Sequence, residues 1–225
     1  ILIISQSTLV FADNNSANLN LKCKSAVLMD VTSGQVLYEK DCHEKLPPAS
    51  VTKVMTMLLI CEAIESGKIK LTDEVTISET ASSMGGSQIF LEPNETQTVD
   101  TLLKGIAVAS ANDACVAMAE YIGGSVEEFV DMMNNKAKEL GMKDTNFVTP
   151  NGLDAKNQYS TAYDMALLGM YATNNELFVK ITNTRNYSFV SENGRRVSVS
   201  NKDAFLDKMS DAIGIKTGFT GECNL

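Results

Sequence analysis

The run Val54-Met55-Thr56-Met57-Leu58-Leu59-Ile60-Cys61 constrains the fold more than any other stretch of this chain. It lies in a helical pattern from about Ser50 to Ser66, closed by Gly67, and is apolar almost all round. A surface helix keeps a polar face. This one has none, so other elements must enclose it, and it becomes the central helix of a domain. Pro47-Pro48-Ala49 stops the preceding chain from pairing and leads it into the first turn. With 225 residues, 44 % of them hydrophobic, the chain can bury one large core around such a helix.

Strands are expected on either side. Ala26-Val27-Leu28-Met29 and Gln35-Val36-Leu37-Tyr38 flank a turn near Thr32-Ser33-Gly34. Pairing across that turn places Cys23 roughly opposite Cys42, where a disulfide could form unless a bulge shifts the register. Residues 72–98 read as mixed and loop-rich. Helices are expected near 99–109, 112–122 and 125–140, separated by small residues and glycines. Thr161-Ala162-Tyr163-Asp164 resembles a capping box opening a helix to about Ala172. Two strands, 186–190 and 196–200, surround the Glu192-Asn193-Gly194 turn, and Ala212–Thr217 reads as a last strand. The expected class is α/β of the α+β type. An antiparallel sheet made from both chain ends packs with helices, and a mostly helical lobe, about residues 68–160, is inserted within the domain.

The chain carries 28 acidic and 19 basic residues, a net charge of −9, which disfavours nucleic acid and anionic membrane as partners. No apolar run reaches the roughly 18 residues of a membrane-spanning helix. Ile1-Leu2-Ile3-Ile4 and Val10-Phe11-Ala12 read as the remnant of a secretory signal over residues 1–12, with 13–225 as the mature domain. Cys61 and Cys115 fall in apolar helical runs and read as buried thiols.

Three short motifs carry the chemistry. Ser50 and Lys53 are three residues apart at a helix start, hence on one face, where the free N–H groups favour negative charge. Ser50 alone would pass for a helix cap. Lys53, one turn into an apolar helix, should be at least partly buried and needs either a partner or a lowered pKa. Ser110-Ala111-Asn112 lies between helices. It reads as a cap, or as a proton relay (Ser110) beside an amide that holds substrate and Lys53 (Asn112). Lys216-Thr217-Gly218 ends a strand. Lys216 is then a second cation that helps depress Lys53, and Gly218 leaves room for a substrate backbone. Together they supply a serine nucleophile with a lysine base in a chain that has a single histidine.

In this order the motifs resemble those of the serine penicillin-recognising enzymes. Pro48–Thr56, Ser110–Ala119, Asn151-Gly152-Leu153-Asp154 and Gly214–Thr220 are similar to the low-molecular-mass D-alanyl-D-alanine carboxypeptidases, and the resemblance runs from about Lys24 to Thr220. It implies a β-lactamase/transpeptidase-like fold and a peptidoglycan stem-peptide substrate ending in D-Ala-D-Ala. It implies that Ser50 forms the acyl-enzyme, with Lys53 as base and Ser110 with Lys216 returning the proton. Thr217, with Lys216, would hold the terminal carboxylate, and the N–H groups of Ser50 and Phe219 would form the oxyanion hole. β-Lactams would acylate Ser50. No metal or organic cofactor is implied. The location implied is extracytoplasmic, with membrane association only through a C-terminal part beyond this chain.

Three rivals are weighed against this. A class A β-lactamase would need a glutamate on the loop between the second and third motifs, where 149–155 offers only Asp154. A zinc hydrolase is disfavoured because His43-Glu44 is followed by Pro47 where H-E-x-x-H needs its second histidine. A non-catalytic penicillin- or peptidoglycan-binding fragment is the third, since the family continues past the last motif with further core strands. Gly221-Glu222-Cys223-Asn224-Leu225 also departs from the family pattern.

Overall fold

The computed structural model describes residues 19–219. The expected leader, Cys223 and the departures at 221–225 lie outside the described residues.

The helix read as central is central. A 3-10 turn (Ala49–Thr52) runs into α1 (Lys53–Glu65), and every residue from Lys53 through Cys61 is buried. Its surroundings follow in chain order. β1 (Ala26–Met29) and β2 (Val36–Lys40) form an antiparallel hairpin before it. After it, β3 (Glu74–Thr76) pairs with β4 (Thr96–Thr98) across a loop containing the short α2 (Glu79–Ser82). Next come α3 (Val99–Lys104), a π-helical turn (Gly105–Ala109), α4 (Asn112–Gly123) and α5 (Val126–Glu139). The chain closes with α6 (Ala162–Ala172), α7 (Glu176–Thr182), the β5 (Asn186–Val190)–β6 (Arg196–Ser200) hairpin and α8 (Phe205–Lys208). Helices α4, α5, α6 and α7 and the π turn all pack on α1.

Local chemistry sets the helix limits. Ser125 accepts from the Glu128 N–H, acids fill the first turn of α5, and Lys136 and Lys138 fill its last. Only Phe129, Met133 and Ala137 of α5 are buried, at the spacing of one helix face, so this helix covers the core. Thr161 accepts from the Asp164 N–H, as its capping pattern predicts. Lys136 of α5 also reaches Glu62 of α1 at 3.1 Å.

Two expectations need correction. Cys23 and Cys42 are free thiols. The ladder ends at the Ala26–Lys40 pair, with a register shift between Leu28 and Met29, so neither cysteine is inside it. Asp41 takes a positive φ of 43° and turns the chain, which buries Cys42 beside Glu39 while Cys23 stays half-buried. The segment 212–217 has no ladder partner, and the described strands form three separate two-stranded sheets. Side chains hold this segment instead. Thr182 Oγ1 of α7 donates to the Ile213 carbonyl at 3.0 Å, and Ile215 packs against Gly169 of α6. The α+β class stands. The 72–98 region, read as mixed and loop-rich, contains the β3–β4 pair, and α7 and α8 lie in stretches with no expected helix.

Leu58, 1 % exposed, sits midway along the enclosed helix. Leu58→Ala is expected to lower stability by roughly 2–5 kcal/mol, as read from the urea midpoint at unchanged slope. A loss under about 1 kcal/mol would mean that α1 is not the centre of the core.

Candidate active site

Ser50 is not a helix cap. It sits in the 3-10 turn, its Oγ accepts no backbone N–H, and its partner is Lys53 Nζ at 3.0 Å. Ala49 before it has a left-handed φ of 48°, so the serine follows a sharp backbone reversal. Lys53 is fully buried. Its Nζ also donates to the Asn151 carbonyl at 2.5 Å, and one turn along α1 Thr56 Oγ1 donates to the Pro150 carbonyl at 2.6 Å. The irregular Pro150-Asn151-Gly152 stretch is therefore bound to the nucleophile's own helix through two backbone carbonyls. Gly152 makes this possible. Its φ is +82°, and a Cβ there would fall 1.8 Å from the Ala49 carbonyl oxygen.

No carboxylate is ion-paired with Lys53 among the described residues. Burial therefore pulls its ammonium below the usual lysine range, and the Lys202 charge adds to this. Two neutral groups hold the amine. With one N–H donated to the Asn151 carbonyl, an uncharged Lys53 has a lone pair available for the Ser50 hydroxyl proton.

Ser110 ends the π turn in a left-handed conformation, φ 60° and ψ 34°. Its hydroxyl is buried, has no hydrogen-bond partner and belongs to a residue lining the same groove as Ser50. The cap reading fails here as well, because Ala111 precedes α4 and no side chain caps it. Asn112 departs from expectation. Its Nδ2 donates to the Gly85 carbonyl and its N–H to the Ser87 carbonyl, each at 2.7 Å, and it does not bond Lys53. Asn151 takes that place. Asp113 is fully buried, and its carboxylate accepts from the N–H groups of Ile89 and Leu91, which ties the 87–91 loop to α4.

Lys216 is half-buried and donates to the Thr217 carbonyl at 2.8 Å. Desolvation, followed by the charge of Lys53, brings its ammonium down to about 7. The expected coupling between the two lysines is thus present, desolvation is the larger cause for each, and the Lys202 charge lowers both. Gly218 borders the groove and is also packed on the Ser50 turn. The space it leaves is filled by Val51 and Ala49, with Val51 Cγ2 3.1 Å from where a Cβ would stand. The third motif is packed directly onto the Ser50 turn.

These residues enclose a groove of about 430 Å³, lined in part by Ser50, Ser110, Asn112, Thr217, Gly218 and Phe219. Lys202 and Ser87, which the sequence did not single out, also line it, and Lys202 Nζ donates to Ser87 Oγ at 3.0 Å. The use of Asn151 through its carbonyl was equally hidden, since any residue type supplies that atom. A paired lysine–serine contact between distant loops carries no local pattern. Among the described residues no cluster of three or more His, Cys, Asp or Glu could hold a metal.

A serine hydroxyl 3.0 Å from a buried lysine amine, in a groove bordered by a Lys-Thr-Gly segment, is set here in the fold of the penicillin-binding proteins. The solved D-alanyl-D-alanine carboxypeptidase DacD from Francisella tularensis superposes with a TM-score of 0.87 at 29 % identity, covering 92 % of this chain and 62 % of that one. Penicillin binding protein 6B from Escherichia coli gives 0.81 at 39 % identity, covering 88 % and 63 %. The chain belongs to the D-alanyl-D-alanine carboxypeptidase family, whose model matches residues 12–224. It is 50 % identical over 207 residues to D-alanyl-D-alanine carboxypeptidase DacF of Bacillus subtilis, covering 92 % of this chain and 53 % of that protein. The chain thus spans about half the length of this relative.

Two variants probe this geometry. Gly152→Ala should lower stability by more than about 2 kcal/mol, from left-handed strain and the Ala49 clash together, as read by urea unfolding. Lys53→Met should raise the Tm, and more at pH 6 than at pH 9. The reason is that the unfolded lysine binds a proton that the buried one resists, so the native chain gains stability as pH rises. An equal shift at both pH values would mean that Lys53 is not desolvated.

Proposed function

We propose that the chain is the catalytic part of a serine D-alanyl-D-alanine carboxypeptidase acting on peptidoglycan stem peptides. The observation that carries this reading is the buried Lys53 amine, 3.0 Å from Ser50 Oγ and without a carboxylate partner among the described residues. Ser50 Oγ attacks the carbonyl carbon between the two D-alanines and passes its proton to Lys53. The backbone N–H groups of Ser50 and Phe219 stabilise the oxyanion, a contribution worth roughly 10²–10³ in rate per donor. The C–N bond breaks, and the Ser110–Lys216 side delivers a proton to the departing amine. Thr217, with Lys216 and the exposed Lys202, holds the terminal carboxylate. Asn112 supports the acyl amide. Water then hydrolyses the ester.

β-Lactams acylate the same serine, and the cyclic amide leaves no separate amine to depart. The protein works at the extracytoplasmic face of the cell membrane, where its substrate lies, with residues 68–160 as a lobe inserted in the catalytic domain. The β-lactamase reading is the weaker one. Asp154 lines the groove, but no glutamate stands in the Asn151–Asp154 wall to activate a deacylating water.

Labelled penicillin followed by peptide mapping should give an adduct at Ser50, and a diacyl-D-Ala-D-Ala peptide should release D-alanine. Ser50→Ala should abolish both, and Lys53→Met should slow acylation by roughly 10²–10⁴-fold. A Ser50 adduct without D-alanine release would favour a binding module, and rapid penicillin turnover a β-lactamase. The lysine pair must shed a proton before Ser50 is activated. Acylation should therefore fall about tenfold per pH unit on the acid side of a limb that lies below the ordinary lysine range. A limb near the ordinary lysine range of about 10.4 would contradict the mechanism.

A further inference from the structure

Gly86 and Ser87, on the loop between β3 and β4, line the Ser50 groove, and this loop grips Asn112. Asn112 Nδ2 donates to the Gly85 carbonyl and its N–H to the Ser87 carbonyl. Gly86 between them has a left-handed φ of +79°, and a Cβ there would stand 2.8 Å from Asn112 Nδ2. The loop therefore lies directly on the amide. A side-chain amide has two N–H donors and one carbonyl acceptor. The Gly85 carbonyl takes one donor, which fixes the way round the amide faces and leaves Oδ1 and the second N–H for a ligand.

The loop itself needs holding. Phe90 has a φ of 60°, a left-handed conformation that a bulky residue rarely adopts. Its ring gains little burial in return, being 64 % exposed. Backbone of this kind persists only where its surroundings hold it. Asp113, next to Asn112 on α4, accepts from the N–H groups of Ile89 and Leu91, each at 3.1 Å. Arg195, at the turn between β5 and β6, donates to the carbonyls of Ile89 and Phe90. A guanidinium is a planar fork that can hold two acceptors at once. The same turn fastens the loop again further on, where Asn193 Nδ2 donates to Glu92 Oε1 at 2.8 Å. Asn193 Oδ1 accepts the Arg195 N–H at 3.1 Å, so one asparagine joins the two fastenings.

We infer that Arg195 is a positioning residue for the acyl side of the substrate. Arg195 is not among the residues that line the groove. It holds Ile89 and Phe90, and the loop so held keeps the Gly85 and Ser87 carbonyls on the Asn112 amide. This rests on the reading that Asn112 supports the acyl amide. Without the guanidinium, Phe90 relaxes, the loop shifts, and the amide loses its fixed orientation.

The test measures the second-order rate of Ser50 acylation by two β-lactams. Benzylpenicillin carries a side-chain amide, and 6-aminopenicillanic acid has a free amine in its place. Both share the ring carboxylate, so an effect passed through Ser87 to Lys202 cancels in the ratio of the two rates. Arg195→Gln should lower the ratio of benzylpenicillin to 6-aminopenicillanic acid by roughly tenfold. Asn112→Ala should lower it by at least as much. In the Asn112→Ala background, adding Arg195→Gln should change the ratio by less than about twofold, because the arginine acts through the amide. Arg195→Lys can reach one carbonyl at a time and should lower the ratio by about threefold, and it decides if Arg195→Gln fails to fold. A native ratio in the Arg195 variants, or a further fall of about tenfold in the Asn112→Ala background, would overturn the inference. A native ratio in Asn112→Ala would overturn it together with the role given to Asn112, and leave the Ser50 acyl-enzyme standing. No acylation of the native chain by either compound would overturn the inference and the proposed activity together.

Discussion

A fully buried lysine with no carboxylate partner among the described residues is the constraint on which the rest of the structure depends. Lys53 is fully buried in α1, and its partners are the Ser50 hydroxyl and the Asn151 carbonyl. A charged amine in such a place is costly, so the site favours the neutral form that a base must have. The apolar helix that makes the core also supplies this desolvation. Packing and chemistry thus rest on one element, and the site cannot be loosened without exposing the core.

Backbone geometry then arranges the other groups around that amine. The π turn and the left-handed Ser110 bring an unpartnered hydroxyl to the groove. Unusual helical turns of this kind concentrate at functional positions. Gly152 lets the Asn151 wall rest on Ala49, and Gly218 lets the Lys216 segment rest on Val51. Asp113 and Arg195 grip the 87–91 loop from opposite sides, one through N–H groups and the other through carbonyls. The groove is therefore built by three loops fastened to α1 and α4, not by the edge of a sheet.

Much of this was legible in the sequence. The apolar run of α1 has only one physical reading, and the Ser50–Lys53 spacing places both groups on one face. Both hairpin turns, the Thr161 cap and the limits of α4 and α5 followed from local turn and capping chemistry. What escaped the reading depends on atoms that every residue possesses or on contacts between distant segments. The Asn151 carbonyl that replaces Asn112 as the partner of Lys53 is of the first kind, and the Lys202–Ser87 bond is of the second. The Cys23–Cys42 pairing failed for a geometric reason, since Asp41 turns the chain just past the end of the ladder. The strand expected at 212–217 has strand-like composition, but side-chain contacts to α6 and α7 hold it instead of a ladder.

The central claim is that the site holds two lysines whose protons are lost below the ordinary range. Titration of the lysine side-chain carbons by NMR on the folded chain tests it directly. Two resonances should titrate well below about 10.4, the one that disappears in Lys216→Gln near 7 and the other disappearing in Lys53→Met. If every lysine resonance titrated within about half a unit of 10.4, the lysine would not be a neutral base and the account would be wrong.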